Sequence, residues 1–91
     1  IGIWGQRHAR YLKQHYKVRY YNLLTSGKLN GYLADIDKQA EAMFSRLLEQ
    51  MGEHEGITEE LKAEHPMEGI GRMNALRESA VEIVNAEVIF A

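Results

Sequence analysis

Apolar residues return every three or four positions along almost the whole chain, and this period limits the possible folds more than any other feature. The clearest example is the stretch over residues 32–51. Its apolar positions are Leu33, Ile36, Ala40, Met43, Leu47 and Met51. Such spacing places side chains on one side of a helix. Because no stretch alternates apolar and polar residues over the length of a strand, the sequence predicts an all-α fold.

Glycine, proline and capping residues divide this periodic sequence into four predicted helices. They cover about residues 6–26, 32–51, 58–65 and 67–89. We expect Gly27 to end the first helix, and Asn30 and Gly52 to begin and end the second. Thr58 is expected to cap the short third helix, while Pro66 ends it and opens the fourth. We predict a small bundle of three long helices and one short helix, with antiparallel neighbours.

The apolar pattern gives a less direct prediction of burial or exposure for several aromatic and asparagine side chains. Tyr16 and Tyr20 lie on the apolar stripe of the first helix, so we expect them in the core. Trp4 is expected to fold back onto the bundle, or to meet a partner or an upstream segment. Asn74 and Asn85 are poor helix formers. They either form buried hydrogen bonds, line a partner surface or face solvent, and solvent is the preferred interpretation for Asn85.

The sequence lacks the features that several classes of function require. The chain has no cysteine, which excludes disulfides, a thiolate nucleophile and cysteine-based zinc sites. Its four histidines lack metal-binding spacing, and no nucleophile elbow or phosphate loop is present. We therefore expect no metal, no cofactor and no enzymatic activity. The longest apolar run, at residues 88–91, is too short to cross a membrane, and we expect a cytoplasmic protein.

The net charge of −2 conceals a strong polarity along the chain. Residues 1–28 contain six lysines and arginines and no acid, whereas residues 29–91 contain all 13 acids. Such asymmetry indicates an anionic partner. A basic surface that packs on an acidic surface within the same molecule would produce the same pattern.

A basic, tyrosine-rich segment over residues 7–21 is the candidate binding site. On a helix, Arg10, Lys13 and Lys17 share one face, which suits the phosphates of a nucleic acid. Tyr11 and Tyr21 lie off the apolar stripe, where they are suited to bind phosphate or stack on unpaired bases. The predicted nucleic-acid-binding residues are Arg7, Arg10, Lys13, Lys17 and Tyr21. The alternative is a solvated face that balances the charge of the acidic helices.

Several stretches together resemble the transposon-encoded protein TnpV family. They are IWGQRH at 3–8, RYLK at 10–13, LLTSGKL at 23–29, YLADID at 32–37, EGITE at 55–59, RMN at 72–74 and EIVNAE at 82–87. The resemblance implies a role in transposons and conjugative elements, and the family has been likened to excisionases, accessory DNA-binding proteins that guide a recombinase. Family members normally carry a further N-terminal segment, and we expect residues 1–91 to form one domain without it.

Two hypotheses of function follow. The first is an accessory protein of a mobile element that binds DNA through the basic segment. The second is a helical protein-interaction module without a nucleic-acid role. Such a module would be a homodimer or would inhibit a host protein such as a defence nuclease. An exposed apolar patch on the second or last helix would favour the second hypothesis.

Overall fold

The computed structural model describes residues 2–91, which form five α-helices and a terminal π-helical segment. The elements are α1 (Ile3–His15), α2 (Lys17–Thr25), α3 (Leu29–His54), α4 (Glu59–Glu64), α5 (Pro66–Val84) and the π segment (Asn85–Ile89). No strand occurs in this part of the chain. The predicted all-α fold is confirmed. Within the same residues, no helix combines the length and apolarity needed to cross a bilayer.

Helix α3 forms the long axis of the molecule, and the other elements pack along it. Helix α1 runs antiparallel to α3, because Trp4 bonds to Glu41 whereas His8, one turn later, bonds to Tyr32. The end of α5 and the π segment pack against both helices. The buried core where the three meet contains Trp4, Ala40, Val84 and Ile89. The result is a bundle over part of the length of α3.

Trp4 folds back onto the bundle, as one of the two interpretations predicted. Its side chain is 5% exposed, and its ring centroid lies 5.5 Å from that of Phe44. The indole Nε1 donates a hydrogen bond of 3.0 Å to Glu41 Oε2. Trp4 belongs to α1 itself, which begins three residues earlier than predicted. The tryptophan therefore anchors α1 to α3.

The prediction of one continuous helix over residues 6–26 is wrong, because the chain breaks at Tyr16. Tyr16 has φ −137° and ψ 59°, outside the helical region. Its side chain is 49% exposed, so its predicted place in the core is also wrong, and no residue of α2 is buried. The Tyr16 ring instead lies 5.7 Å from Tyr11. Apolar spacing continues across this break, so periodicity alone does not reveal it.

Helix α3 is longer than predicted at both ends. It begins at Leu29, which is buried, and Asn30 is inside the helix rather than its cap. Gly52 does not end it but is buried within its last turn. Gly56, with φ +72°, takes the left-handed position after the helix, and the Ile57 amide donates to the Gly52 carbonyl at 2.9 Å. This is a Schellman ending, which needs a glycine at that position.

The other punctuation residues act as predicted. Gly27, with φ +75°, ends α2 with the same backbone hydrogen-bond pattern. Thr58 Oγ1 accepts a hydrogen bond of 3.2 Å from the Leu61 amide and caps α4. Pro66 separates α4 from α5 and occupies the first turn of α5. The predicted last helix continues as α-helix only to Val84, after which the backbone becomes π-helical.

Candidate nucleic-acid interface

A buried histidine joins four elements of the fold. His8 is 4% exposed, and its Nδ1 lies 2.7 Å from the Ile89 carbonyl oxygen. Because a carbonyl only accepts, Nδ1 is the donor; in the tautomer with its one proton on Nδ1, Nε2 accepts from the Tyr32 hydroxyl at 2.9 Å. Arg19 Nη2 donates to the same Tyr32 oxygen at 3.4 Å. This directed chain of hydrogen bonds connects α2, α3, α1 and the π segment.

Arg7 has a structural role on the neighbouring side of α1. Its Nη1 donates a hydrogen bond of 2.8 Å to Asn85 Oδ1, and its guanidinium lies 5.2 Å from the ring centre of Trp4. Asn85 is therefore half-buried and paired, and the preferred prediction that it faces solvent is wrong. Asn74 is exposed. Arg7 therefore holds the π segment against α1 through a bond to a neutral amide.

The π segment brings the end of the chain to α1. The Phe90 amide donates to the Asn85 carbonyl at 2.7 Å, a bond across five residues that is characteristic of π-helix. The segment aims the Ile89 carbonyl at His8 and places Phe90 with its ring 5.3 Å from that of Tyr11. π-Helical turns are rare and occur often at functional sites. Here the turn completes one wall of a surface groove.

Two grooves meet on the surface of α1 and α2. One has a volume of 560 Å³ and is lined by Arg7, Arg10, Tyr11, Gln14, His15 and Phe90. The other has a volume of 930 Å³ and is lined by Gln14, His15, Tyr16, Lys17, Val18, Arg19, Asn22, Leu23 and Ser26. Because Gln14 and His15 line both, the two form one concave surface that follows the bend at Tyr16. We call this surface the basic groove.

The positive charge around the basic groove has no direct acidic partner among residues 2–91. The two ion pairs in this part of the chain join Lys62 to Glu59 and Arg72 to Glu68, and both lie at the opposite end of the sequence. Arg10, Lys13 and Lys17 are exposed and make no ion pair with any residue from 2 to 91. The N-terminal bases are thus not neutralised by contact with the acidic helices, and their charge is available to an anion.

Tyr11 lies at the centre of an aromatic cluster on the wall of the basic groove. Its ring centroid is 5.1 Å from His15, 5.7 Å from Tyr16 and 5.3 Å from Phe90. A hydrogen bond with the Tyr16 hydroxyl raises the pKa of the Tyr11 phenol above its ordinary value. The bond to Tyr16 therefore favours the neutral form of the Tyr11 phenol.

The family model of the transposon-encoded protein TnpV matches residues 1–89. The chain belongs to the TnpV family. No curated protein and no solved structure matches it. The TnpV stretch at residues 3–8 supplies Trp4, Arg7 and His8, which bond to α3 and to the π segment. In this chain the stretch therefore joins α1 to α3 and to the π segment. Membership of the family makes the chain a transposon-associated protein.

The five predicted binding residues of this TnpV family member occupy different places. Arg7 and Arg10 line the smaller groove and Lys17 the larger one, whereas Lys13 and Tyr21 line neither. The break at Tyr16 separates Lys17 from the row formed by Arg10 and Lys13. His15 and Phe90 line the groove although the residue pattern did not predict them there. The position of Tyr11, off the apolar stripe and beside the basic residues, indicated that it could belong to the groove. The sequence around Phe90 gave no such indication, because only folding brings this residue to α1.

Proposed function

We propose that this TnpV family member is a non-enzymatic accessory protein of a mobile genetic element, acting in the cytoplasm and binding nucleic acid through the basic groove. The observation that supports the proposal most directly is the set of exposed bases without acidic partners in the described chain. Within residues 2–28 the set comprises Arg10, Lys13, Lys17, Lys28 and Arg19, the last of which bonds to Tyr32. Lys38, Arg46 and Arg77 also lack an acidic partner among the described residues, but they line neither groove. Lysine and arginine bind nucleic acid by displacing the counterions of its phosphates. A groove with uncompensated positive charge is suited to that contact.

The salt dependence of binding tests this proposal. Six bases lie in residues 1–28, but Arg7 is bonded to Asn85 and Arg19 to Tyr32, which leaves four free. If all four contact phosphates of a duplex, the slope of log K against log salt is expected to be about −3.6. Fluorescence anisotropy with a labelled duplex at several salt concentrations measures this slope.

A pair of triple mutants provides the matched comparison. Replacing Arg10, Lys13 and Lys17 by alanine leaves one free base, so the slope is expected to fall to about −0.9. The control replaces Lys38, Arg46 and Arg77, three exposed bases on α3 and α5, with the same change in net charge. The control is expected to bind nearly as the unaltered protein does. Equal affinities of the two mutants, or no binding at low salt, would contradict the proposal.

Self-association is a second candidate function, and one surface supports it. Met67 and Ile70, on the first half of α5, are 82% and 58% exposed. Ile70 also lines a groove of 210 Å³ with Lys62, Pro66, Gly69 and Met73. Exposed apolar side chains in one place favour contact with another protein. Either a second copy of this chain or a host protein is able to cover them. The mass of the purified protein in solution distinguishes these two alternatives.

A further inference from the structure

The aromatic cluster at the basic groove is partly open to solvent. Phe90 is 45% and Tyr16 is 49% exposed, although both rings contact Tyr11. An exposed phenylalanine keeps a large apolar surface in contact with water, which favours any ligand that covers it. The exposed ring surface belongs to the groove wall, because Phe90 lines the smaller groove and Tyr16 the larger one.

The position of Phe90 is held by several bonds and is not that of a loose chain end. Its amide donates to the Asn85 carbonyl at 2.7 Å. Asn85 is in turn held by Arg7 at 2.8 Å, and the preceding carbonyl, that of Ile89, is held by His8 at 2.7 Å. Ile89 itself is 0% exposed. The ring is thus presented to the groove by a buried network, which lowers the entropic cost of binding against it.

Cations flank the rings on both sides of the bend. Arg10 is exposed beside Tyr11 and Phe90 in the smaller groove, and Lys17 is exposed beside Tyr16 in the larger one. The amides of Gln14 and Asn22 line the same surface and supply hydrogen-bond donors and acceptors. Rings that alternate with cations along a concave surface are the arrangement by which proteins bind single-stranded nucleic acid.

We propose that the basic groove binds unpaired nucleotides, with bases stacked on Phe90 and Tyr16 and phosphates bound by Arg10 and Lys17. This inference rests on the proposed function and adds the class of nucleic acid. In a duplex each base is covered by its neighbours, so the exposed rings have no face to stack on. An unpaired strand offers both its bases and its phosphates to one concave surface. Because every base has a π face, the binding is expected to tolerate differences in sequence.

The test compares a labelled single strand of about a dozen nucleotides with the duplex of the same sequence, by anisotropy over one series of salt concentrations. The single strand is expected to bind about tenfold more tightly than the duplex. Phe90→Ala is expected to weaken single-strand binding by about tenfold and to leave the salt slope unchanged, since no charge is lost. Arg10→Ala, in contrast, is expected to lower the magnitude of the slope by about 0.7.

Two further variants separate stacking from a loss of structure. Phe90→Leu keeps an apolar side chain but removes the ring, and it is expected to bind the single strand as weakly as Phe90→Ala. Ile83→Ala removes an exposed apolar side chain that lines neither part of the basic groove and is expected to bind normally. Equal binding of strand and duplex, with Phe90→Leu unaffected, would overturn the inference and leave the proposed function standing. Failure to bind either nucleic acid would overturn both.

Discussion

At the scale of single residues, one carboxylate of α3 acts as the missing cap of α1. The N-cap residue of α1 is Gly2, which has no side chain to accept a backbone hydrogen bond. Asp37 Oδ1 accepts the bond of the Gly5 amide instead, at 2.8 Å. A Cβ at Gly2 would lie 2.8 Å from the same carboxylate, so glycine allows this close approach. The negative charge also stabilises the positive end of the helix.

Loss of this carboxylate is expected to destabilise the fold. Asp37→Ala should lower the free energy of unfolding by about 1–2 kcal/mol, the range for loss of an N-cap acceptor. Urea denaturation followed by circular dichroism measures the change. Asp35→Ala provides the control, because Asp35 is exposed on the same helix and loses the same charge. Its effect should stay within about 0.5 kcal/mol, and equal effects of both substitutions would contradict the capping role.

At the scale of elements, the chain contains two breaks of the same shape. Tyr16 has φ −137° and ψ 59°, and His65 has φ −134° and ψ 68°. Each donates its amide to the carbonyl four residues before and accepts from the amide four residues after. At His65 the following Pro66 disfavours the helical region. No proline follows Tyr16, so tertiary contacts of its neighbours hold that break.

The likeness of the two breaks predicts that a proline is tolerated after Tyr16. Lys17 is the first residue of α2, as Pro66 is of α5, and the first amides of a helix have no hydrogen-bond partner within that helix. Lys17→Pro should therefore be at least as stable as Lys17→Ala, and up to about 1 kcal/mol more stable because the unfolded chain loses freedom. Thermal unfolding of the two variants measures the difference.

A proline inside α1 provides the opposite expectation. Lys13 is exposed like Lys17, but it lies within the helix. Lys13→Pro should be about 3 kcal/mol less stable than Lys13→Ala, because the ring removes a helical hydrogen bond and clashes with the preceding turn. If Lys17→Pro were destabilised to the same degree, the chain would be continuous helix through Tyr16 in solution, and the bend in the basic groove would be absent.

At the scale of the whole molecule, the chain is extended. Its dimensions are 55 × 20 × 18 Å, and its radius of gyration is 16.7 Å, against about 12 Å for a compact domain of this length. The accessible surface of 6301 Å² exceeds the value of about 5400 Å² expected for its mass. The excess, about 900 Å², is close to what one partner covers in a stable interface.

This excess surface, with the exposed Met67 and Ile70, predicts a dimer. Light scattering should give a mass of about 21 kDa, twice the 10.4 kDa of one chain. Ile70→Glu places a charge on the exposed apolar surface and should return the mass to that of one chain. Ala75→Glu, at an exposed position further along α5, should leave the dimer intact. A mass of one chain at every concentration would exclude self-association.

Local chemistry was enough to predict much of the fold. The all-α class follows from the apolar period, and the ends at Gly27, Thr58 and Pro66 follow from the backbone preferences of those residue types. The excess of bases in residues 1–28 likewise predicted where positive charge would be exposed. These features depend on residues within a few positions of each other, so the sequence alone carries them.

The tertiary structure decided which of the basic residues in 1–28 form hydrogen bonds with distant parts of the chain. Arg7 was predicted to bind nucleic acid, but Asn85, 78 positions away, takes its hydrogen bond. His8 finds the Ile89 carbonyl 81 positions away, and that contact sets the place of Phe90 beside Tyr11. Periodicity records only which side of a helix is apolar and not which distant group it meets. The helical class and several helix ends were therefore determined by the sequence, whereas the break at Tyr16 and the groove were decided by the tertiary structure.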